Sequence, residues 1–154
     1  MEVSEILRIK GTTLYTVSPD TMLSESVMVM ADHDIGSLVV MEHGKLAGML
    51  TFREVLKVLA QRQREHREGP TRPVAEIVVR DVMMTDPIIA SPATDVNDLR
   101  QMMIETHQRY LPVMDGSTLL GVVSFHDIAR AVLEEQGFEN RMLKAYIRDW
   151  PAEG

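Results

Sequence analysis

The chain has 154 residues, of which 45% are apolar and 25% are charged, a composition that is ordinary for a globular protein. Its formal charge of −7, without any run of Lys or Arg broken by aromatic residues, argues against nucleic-acid binding through phosphate neutralisation. The absence of cysteine excludes disulfides and thiolate chemistry, and no apolar run approaches the roughly 18 residues of a membrane span.

Apolar periodicity predicts the same elements in each half of the chain. A short strand runs into a Ser-Pro turn, a helix follows, and two strands separated by a polar break lead into a second helix. In the first half these elements cover residues 14–17, 22–32, 38–41 and 46–50 and a helix from Phe52. In the second half they cover residues 87–90, 96–106, 111–114 and 119–123 and a helix from Phe125. The expected caps of the earlier helix in each half are Asp20 or Thr21, and Thr94 or Asp95.

The segments outside these elements divide the chain. Residues 61–72 are charged and polar and contain Gly-Pro, which predicts a helix end followed by a linker, so residues 61–80 are assigned to the linker. Residues 136–154 include apolar side chains at three- and four-residue spacing and form an amphipathic tail. The predicted units are therefore residues 8–60 and 81–135.

The two halves are copies of one unit. Residues 18–55 recur without a gap as residues 91–128, 73 positions further along, and ten of the 38 aligned pairs are identical. Composition alone gives roughly two or three matches over such a length. Because a half of about 60 residues buries too little apolar surface to be comfortably stable alone, we expect the units to pack together around a cleft.

The most informative motif in both copies is apolar-Gly-apolar-apolar-Ser/Thr-x-x-acid, which opens the final helix. It occurs as Ala47 to Glu54 and again as Leu120 to Asp127. With Val-Ser-Pro-Asp-Thr upstream and Tyr-Leu-Pro-Val-Met between, the pattern resembles a tandem pair of CBS domains, the Bateman module, over about residues 10–133. The resemblance implies an α+β fold, an α/β sandwich of two pseudo-symmetric βαββα units packed sheet to sheet. It also implies clefts that bind AMP, ADP, ATP or NAD as a regulatory ligand, and homodimers built from the helices.

The resemblance further implies that each cleft combines the Ser/Thr-x-x-acid turn of one unit with the strand entrances of the other. The main cleft is expected to use Ser124, His126 and Asp127 opposite Thr12, Leu14, Ile35, Gly36 and Ser37. The second cleft is expected to use Thr51, Arg53 and Glu54 opposite Thr85, Pro87, Arg109, Tyr110 and Pro112. Because Glu54 replaces the usual Asp and its extra methylene displaces the carboxylate, we expect the second cleft to bind more weakly.

The chemistry of these residues agrees with a nucleotide ligand. An Asp carboxylate accepts hydrogen bonds from ribose hydroxyls, and a Ser or Thr beside the free N–H groups of a helix start contacts phosphate. Small residues such as Gly36 let the backbone approach a flat base, and Arg53 or Arg109 neutralises phosphate charge. His126 stands where the first copy has Arg53, which predicts a weaker or pH-dependent contact. The simpler interpretation is that the two acids only complement a helix dipole, and that Arg109 is a solvated surface residue.

We expect a regulatory binding module that signals to a partner protein or through its dimer. An enzyme would need a nucleophile and a base, but Ser124 has only His126 as a candidate base, and residues two apart on a helix do not face each other. A ligand-free structural dimer is the other alternative. The histidines show no zinc-like spacing, so no metal site is expected. The acidic N-terminus lacks the hydrophobic region of a signal peptide, which favours the cytoplasm and no membrane partner.

Overall fold

A computed structural model of the chain describes residues 1–11, 13–70, 73 and 76–148 and contains both units. In chain order the elements are α1 (Val3–Lys10), β1 (Thr16–Val17), α2 (Leu23–Asp32), β2 (Ser37–Glu42), β3 (Lys45–Thr51), α3 (Phe52–Glu68), α4 (Val79–Val82), α5 (Val96–Thr106), β4 (Tyr110–Asp115), β5 (Thr118–Ser124) and α6 (Phe125–Arg148). The mixed α and β architecture and its repetition confirm the predicted fold class. Helix α6 continues through the first part of the predicted tail, whereas Trp150 lies outside the described residues.

The two hairpins have the same register. Val40 faces Gly48 in the β2–β3 pair, Val113 faces Gly121 in the β4–β5 pair, and the register shifts at the residue that follows each valine. Strand β1 lies parallel to β2, with Thr16 opposite Val39. Its counterpart in the second unit is reduced to a single parallel bridge between Ala90 and Val113. The strand predicted over residues 87–90 is therefore shorter than expected.

The predicted helix caps are wrong. The Thr21 hydroxyl accepts the backbone N–H of Ser18 at 3.2 Å, and the helix begins after Met22 without a side-chain cap. In the second unit Thr94 does the same for Ser91, and Asp95 precedes α5 without forming a cap hydrogen bond. Each threonine is thus committed to its Ser-Pro turn. The helix-start N–H groups find backbone carbonyls instead: Leu23 donates to Ile77 at 2.9 Å and Val96 donates to Met1 at 2.9 Å.

Each of those two carbonyls belongs to a segment that precedes one unit in sequence but docks on the other unit. The segment with α1 docks on the second unit, where Val3 N–H donates to the Thr94 carbonyl at 3.0 Å. The segment with α4 docks in the same way on the first unit, where Val79 N–H donates to the Thr21 carbonyl at 2.9 Å. Each unit is therefore completed by the helix that precedes the other unit in sequence. Sequence analysis assigned no element to residues 3–10.

The exchanged helices contribute to two hydrophobic cores. Val3 and Ile6 of α1 are buried in the core of the second unit, and Ile77 and Val79 are buried in that of the first. Burial of such a side chain stabilises the docked segment by roughly 1.5–3 kcal/mol. The buried side chains of the second core are Val3, Ile6, Ala90, Val96, Leu99, Met103, Leu111, Val113, Val123, Ile128 and Ala131. Those of the first core are Leu23, Met30, Leu38, Val40, Leu50, Ile77 and Val79.

The two exchanged helices differ in length. The matching hydrogen bonds align Val3 with Val79, which lie 76 positions apart, whereas the repeat itself has a spacing of 73. The segment before the first Ser-Pro turn is therefore longer, and α1 has 8 residues where α4 has 4. Lys10 is the last residue of the additional turn of α1.

Candidate functional site

The Ser124-x-x-Asp127 turn lies where β5 ends and α6 begins. Ser124 N–H donates to Asp127 Oδ2 at 3.0 Å, and Asp127 N–H donates to Ser124 Oγ at 3.0 Å. This reciprocal pair is a capping-box arrangement, which holds both side chains at the N-terminus of the helix. The Asp127 side chain retains 19% of its exposure, so its carboxylate is held in place yet reachable from solvent.

A residue absent from the predicted site completes this turn. Lys10 Nζ donates to Asp127 Oδ2 at 2.8 Å and to the Val122 carbonyl at 2.9 Å. Repeat alignment missed it because the copies match without a gap only from Ser18 onward. The signal that points to Lys10 is the extra length before the first Ser-Pro turn, which appears only when Val3 is aligned with Val79.

The surroundings of Asp127 favour its ionised form. Burial raises the pKa of this carboxyl group, but the hydrogen bond from Lys10 and those from Ser124 outweigh burial, so its pKa lies below the ordinary value. The carboxylate is therefore charged at neutral pH and able to accept hydrogen bonds from hydroxyl groups.

The corresponding acid of the second cleft is turned inward. Glu54 Oε1 accepts the Thr51 N–H at 3.0 Å and the Thr51 hydroxyl at 2.8 Å, while the Thr51 hydroxyl accepts Arg53 N–H at 3.2 Å. Glu54 is 5% exposed and Thr51 is 6% exposed. Asp127 also accepts the N–H of its own N-cap residue, but Glu54 accepts the N-cap hydroxyl as well. In the described structure Glu54 stabilises the start of α3, and its hydrogen-bonding capacity toward a ligand is reduced.

Gly36 and Tyr110 bring the two predicted clefts into contact. A Cβ atom on Gly36 would lie 1.9 Å from the Tyr110 hydroxyl oxygen and 2.8 Å from the Phe52 ring, so these side chains fill the space beside Gly36. Gly36 was assigned to the main cleft and Tyr110 to the second. Burial raises the pKa of the Tyr110 hydroxyl, Arg109 lowers it, and the charge of Asp127 raises it further. Tyr110 is also the cross-strand partner of Ser124, which places it beside the main-cleft turn as well.

The remaining predicted site residues have diverse surroundings. Ile35 packs against the first core, and Pro112 lies buried within β4, where its carbonyl accepts Ala90 N–H at 3.0 Å. Leu14, Ser37 and Pro87 are half-buried. The exposed members of the predicted set are Arg53, Thr85, Arg109 and His126. Thr12 lies outside the described residues. Ligand contact by these residues stays a prediction.

Other features bear on the kind of site. Over residues 1–11, 13–70, 73 and 76–148, no group of three or more His, Asp or Glu side chains is arranged to hold a metal ion. No helix in that part of the chain combines the length and apolar character needed to cross a membrane.

A cavity of about 330 Å³ lies between α3 and α4, and Glu54 is the predicted site residue on its wall. Its charged lining has both signs, with Lys57, Arg62, Glu65 and Asp81.

Comparison with known proteins agrees with the duplicated fold. The family model described as CBS domain matches two segments, residues 3–61 and 79–134. The CBS domain-containing protein YhcV of Bacillus subtilis is 36% identical over 119 residues, which are 77% of this chain and 78% of YhcV.

Solved structures give the same result. The CBS domain structure of NE2398 has a TM-score of 0.77 and 26% identity, covering 86% of this chain and 98% of that chain. CBSX2, solved in complex with AMP, has a TM-score of 0.65 and 23% identity over 80% of this chain and 90% of its own, and at that identity it supports the fold alone. The chain belongs to the CBS domain family, with one CBS match in each of its halves.

Proposed function

We propose that this protein is a regulatory module that binds an adenine nucleotide (AMP, ADP, ATP or NAD) in the main cleft. Occupancy is passed on by a homodimer or by a partner protein, in the cytoplasm. The observation that carries the proposal is the Ser124–Asp127 turn, where a charged, partly exposed carboxylate is fixed at the start of a 24-residue helix.

The chemistry of this turn suits a nucleoside phosphate. The carboxylate offers acceptors for the ribose hydroxyls, and the positive end of the helix dipole favours an anion such as a phosphate. Glu54 is buried and bonded to Thr51, which supports weaker binding in the second cleft. CBSX2, which shares the fold, is a precedent for AMP on this architecture.

Binding without catalysis is the proposed activity. The Ser124 hydroxyl accepts the N–H of Asp127 at 3.0 Å and so serves the helix cap. His126 is exposed on the first turn of the same helix, two residues from Ser124, a spacing that does not bring side chains face to face. The arrangement therefore lacks the nucleophile–base pair that hydrolysis of a nucleotide would need.

Thermal unfolding in the presence of AMP, ATP and NAD tests the proposal. A ligand at one hundred times its Kd stabilises the folded state by about 2.7 kcal/mol, which raises Tm by roughly 5–10 °C for a chain of this size. Asp127→Asn is expected to abolish the shift.

The matched control is Asp98→Asn. Asp98 is an exposed acid in the first turn of α5 and therefore reports the helix-dipole effect alone. A shift that survives Asp127→Asn, or no shift with any of the three ligands, overturns the proposed function.

The homodimer in this proposal rests on the exposed helix faces. The helices α3 and α6 carry large apolar side chains with at least half of their surface exposed, namely Phe52, Leu56, Leu59, Leu133, Met142, Leu143 and Ile147. Exposed apolar side chains in such number are typical of surfaces that are covered in an assembly. A second copy of the chain offers the same face, as two-fold symmetry requires.

A further inference from the structure

The extra turn of α1 ends in Lys10, whose ammonium group contacts the Asp127 carboxylate, the group that is proposed to bind the ribose. Lys10 Nζ lies 2.8 Å from Asp127 Oδ2, and that same oxygen accepts the Ser124 N–H at 3.0 Å. One of the two carboxylate oxygens is thus engaged twice. A ribose diol that donates one hydroxyl to each carboxylate oxygen needs a free lone pair on both of them.

In the first unit, the strand position equivalent to Val122 has a backbone partner instead of a lysine side chain. There Met84 follows the short helix α4 and exchanges two backbone hydrogen bonds with Met49, at 3.0 and 2.8 Å. The repeat equivalent of Met49 is Val122, whose carbonyl accepts the Lys10 ammonium at 2.9 Å instead. A side-chain contact thus takes the place of a backbone pairing. The Lys10 side chain can therefore leave the Val122 carbonyl without breaking a pair of backbone hydrogen bonds such as that between Met84 and Met49.

Other contacts anchor α1 independently of Lys10. Val3 is fully buried and Ile6 is 4% exposed, and the Val3 and Ser4 N–H groups donate to the Thr94 and Pro92 carbonyls. The Lys10 side chain itself is 39% exposed. The start of the helix is therefore fixed on the second unit, while its last side chain remains at the solvent boundary.

We propose that Lys10 is a resident competitor of the ligand, which occupies the Asp127 carboxylate in the empty main cleft and is displaced when the ribose diol binds. This inference rests on the proposed function and adds a residue that tunes its affinity. Ligand binding and the contacts of Lys10 with Asp127 and Val122 are then mutually exclusive, so occupancy is linked to the end of α1.

The exposure of the Lys10–Asp127 ion pair sets how strongly Lys10 competes with the ligand. Partly exposed ion pairs contribute up to about 1 kcal/mol, which corresponds to roughly a fivefold change in an equilibrium constant. Removing the ammonium is therefore expected to tighten ligand binding about fivefold.

Isothermal titration of adenosine and of AMP into wild type and Lys10→Met separates competition from phosphate contact. Competition predicts that both ligands bind about fivefold more tightly, because both carry the ribose diol. Lys10→Gln, which keeps hydrogen-bond donors but loses the charge, is expected to shift affinity in the same direction. The matched control is Lys45→Met, an exposed lysine at the β2–β3 turn, which should leave both affinities unchanged.

A double-mutant cycle of Lys10 and Asp127 distinguishes competition from a purely structural role of Lys10. Because Asp127→Asn removes the tight site, the cycle is measured on the weak residual binding of adenosine in that background, titrated at millimolar concentration. There Lys10→Met should change the affinity less than twofold, since the competed carboxylate is gone. Unchanged affinities in Lys10→Met, or weaker AMP binding with unchanged adenosine binding, overturn this proposal alone. Absence of binding by both ligands, in wild type and in both Lys10 variants, overturns the proposed function and this proposal with it.

Discussion

The two cleft acids are expected to contribute differently to stability, and Glu54→Ala tests this difference most sharply. Glu54 is 5% exposed and its Oε1 accepts both the N–H and the hydroxyl of Thr51. Truncation leaves the Thr51 N–H without its acceptor, which costs roughly 1–3 kcal/mol, and removes the hydrogen bond from the Thr51 hydroxyl, which is worth about 1 kcal/mol. We expect an overall loss of about 2–4 kcal/mol in the free energy of unfolding and a fall in Tm of roughly 5–15 °C.

The comparison for this prediction is Asp127→Ala. Asp127 keeps 19% of its side-chain exposure, so water replaces part of what is lost, and its pair with Lys10 is worth at most about 1 kcal/mol. Calorimetric unfolding of the two variants and wild type under identical conditions measures both changes. The division into a structural and a ligand-binding acid is refuted if Glu54→Ala lowers Tm no more than Asp127→Ala does.

Three further substitutions test the Gly36 contact, the Asp127–Lys10 pair and the exposed face of α3. Gly36→Ala places a Cβ atom 1.9 Å from the Tyr110 hydroxyl and should destabilise the fold by about 1–3 kcal/mol in urea unfolding, with Tyr110→Ser restoring part of the loss. Because the pKa of Asp127 is lowered in the folded state, its pair with Lys10 stabilises above the unfolded value near pH 4, and this contribution is lost as pH falls through the folded pKa. The stability difference between wild type and Lys10→Met should therefore be largest near pH 6 and vanish in strong acid; a pH-independent difference contradicts the assignment. Leu56→Glu, at a side chain that is 64% exposed on α3, should shift light-scattering mass from dimer to monomer while leaving Tm within a few degrees, whereas a wild-type monomer contradicts the proposed dimer.

The elements with strong periodicity were predictable from sequence. The helix expected over residues 96–106 is α5, and the strand–turn–strand patterns became two hairpins with matching registers. The helix starts at Phe52 and Phe125 also agree with the structure. These features are local, because side-chain periodicity and turn residues are enough to define them.

The features that sequence analysis missed depend on contacts between distant segments. Helix α1 has a core only on the second unit, and Lys10 meets Asp127 across 117 positions of sequence. The caps failed for the same reason, since the carbonyls of Met1 and Ile77 replace the expected side chains. The meeting of Gly36 with Tyr110 likewise arises from how the units face each other, which residue spacing does not encode.

The stoichiometry of AMP binding tests the central claim most directly. Isothermal titration should give one tight site per chain, because Asp127 presents a partly exposed carboxylate whereas Glu54 is buried against Thr51. Asp127→Asn should remove that site, and Asp98→Asn should leave it intact. Two equivalent sites per chain, or a tight site that persists in Asp127→Asn, would contradict the account.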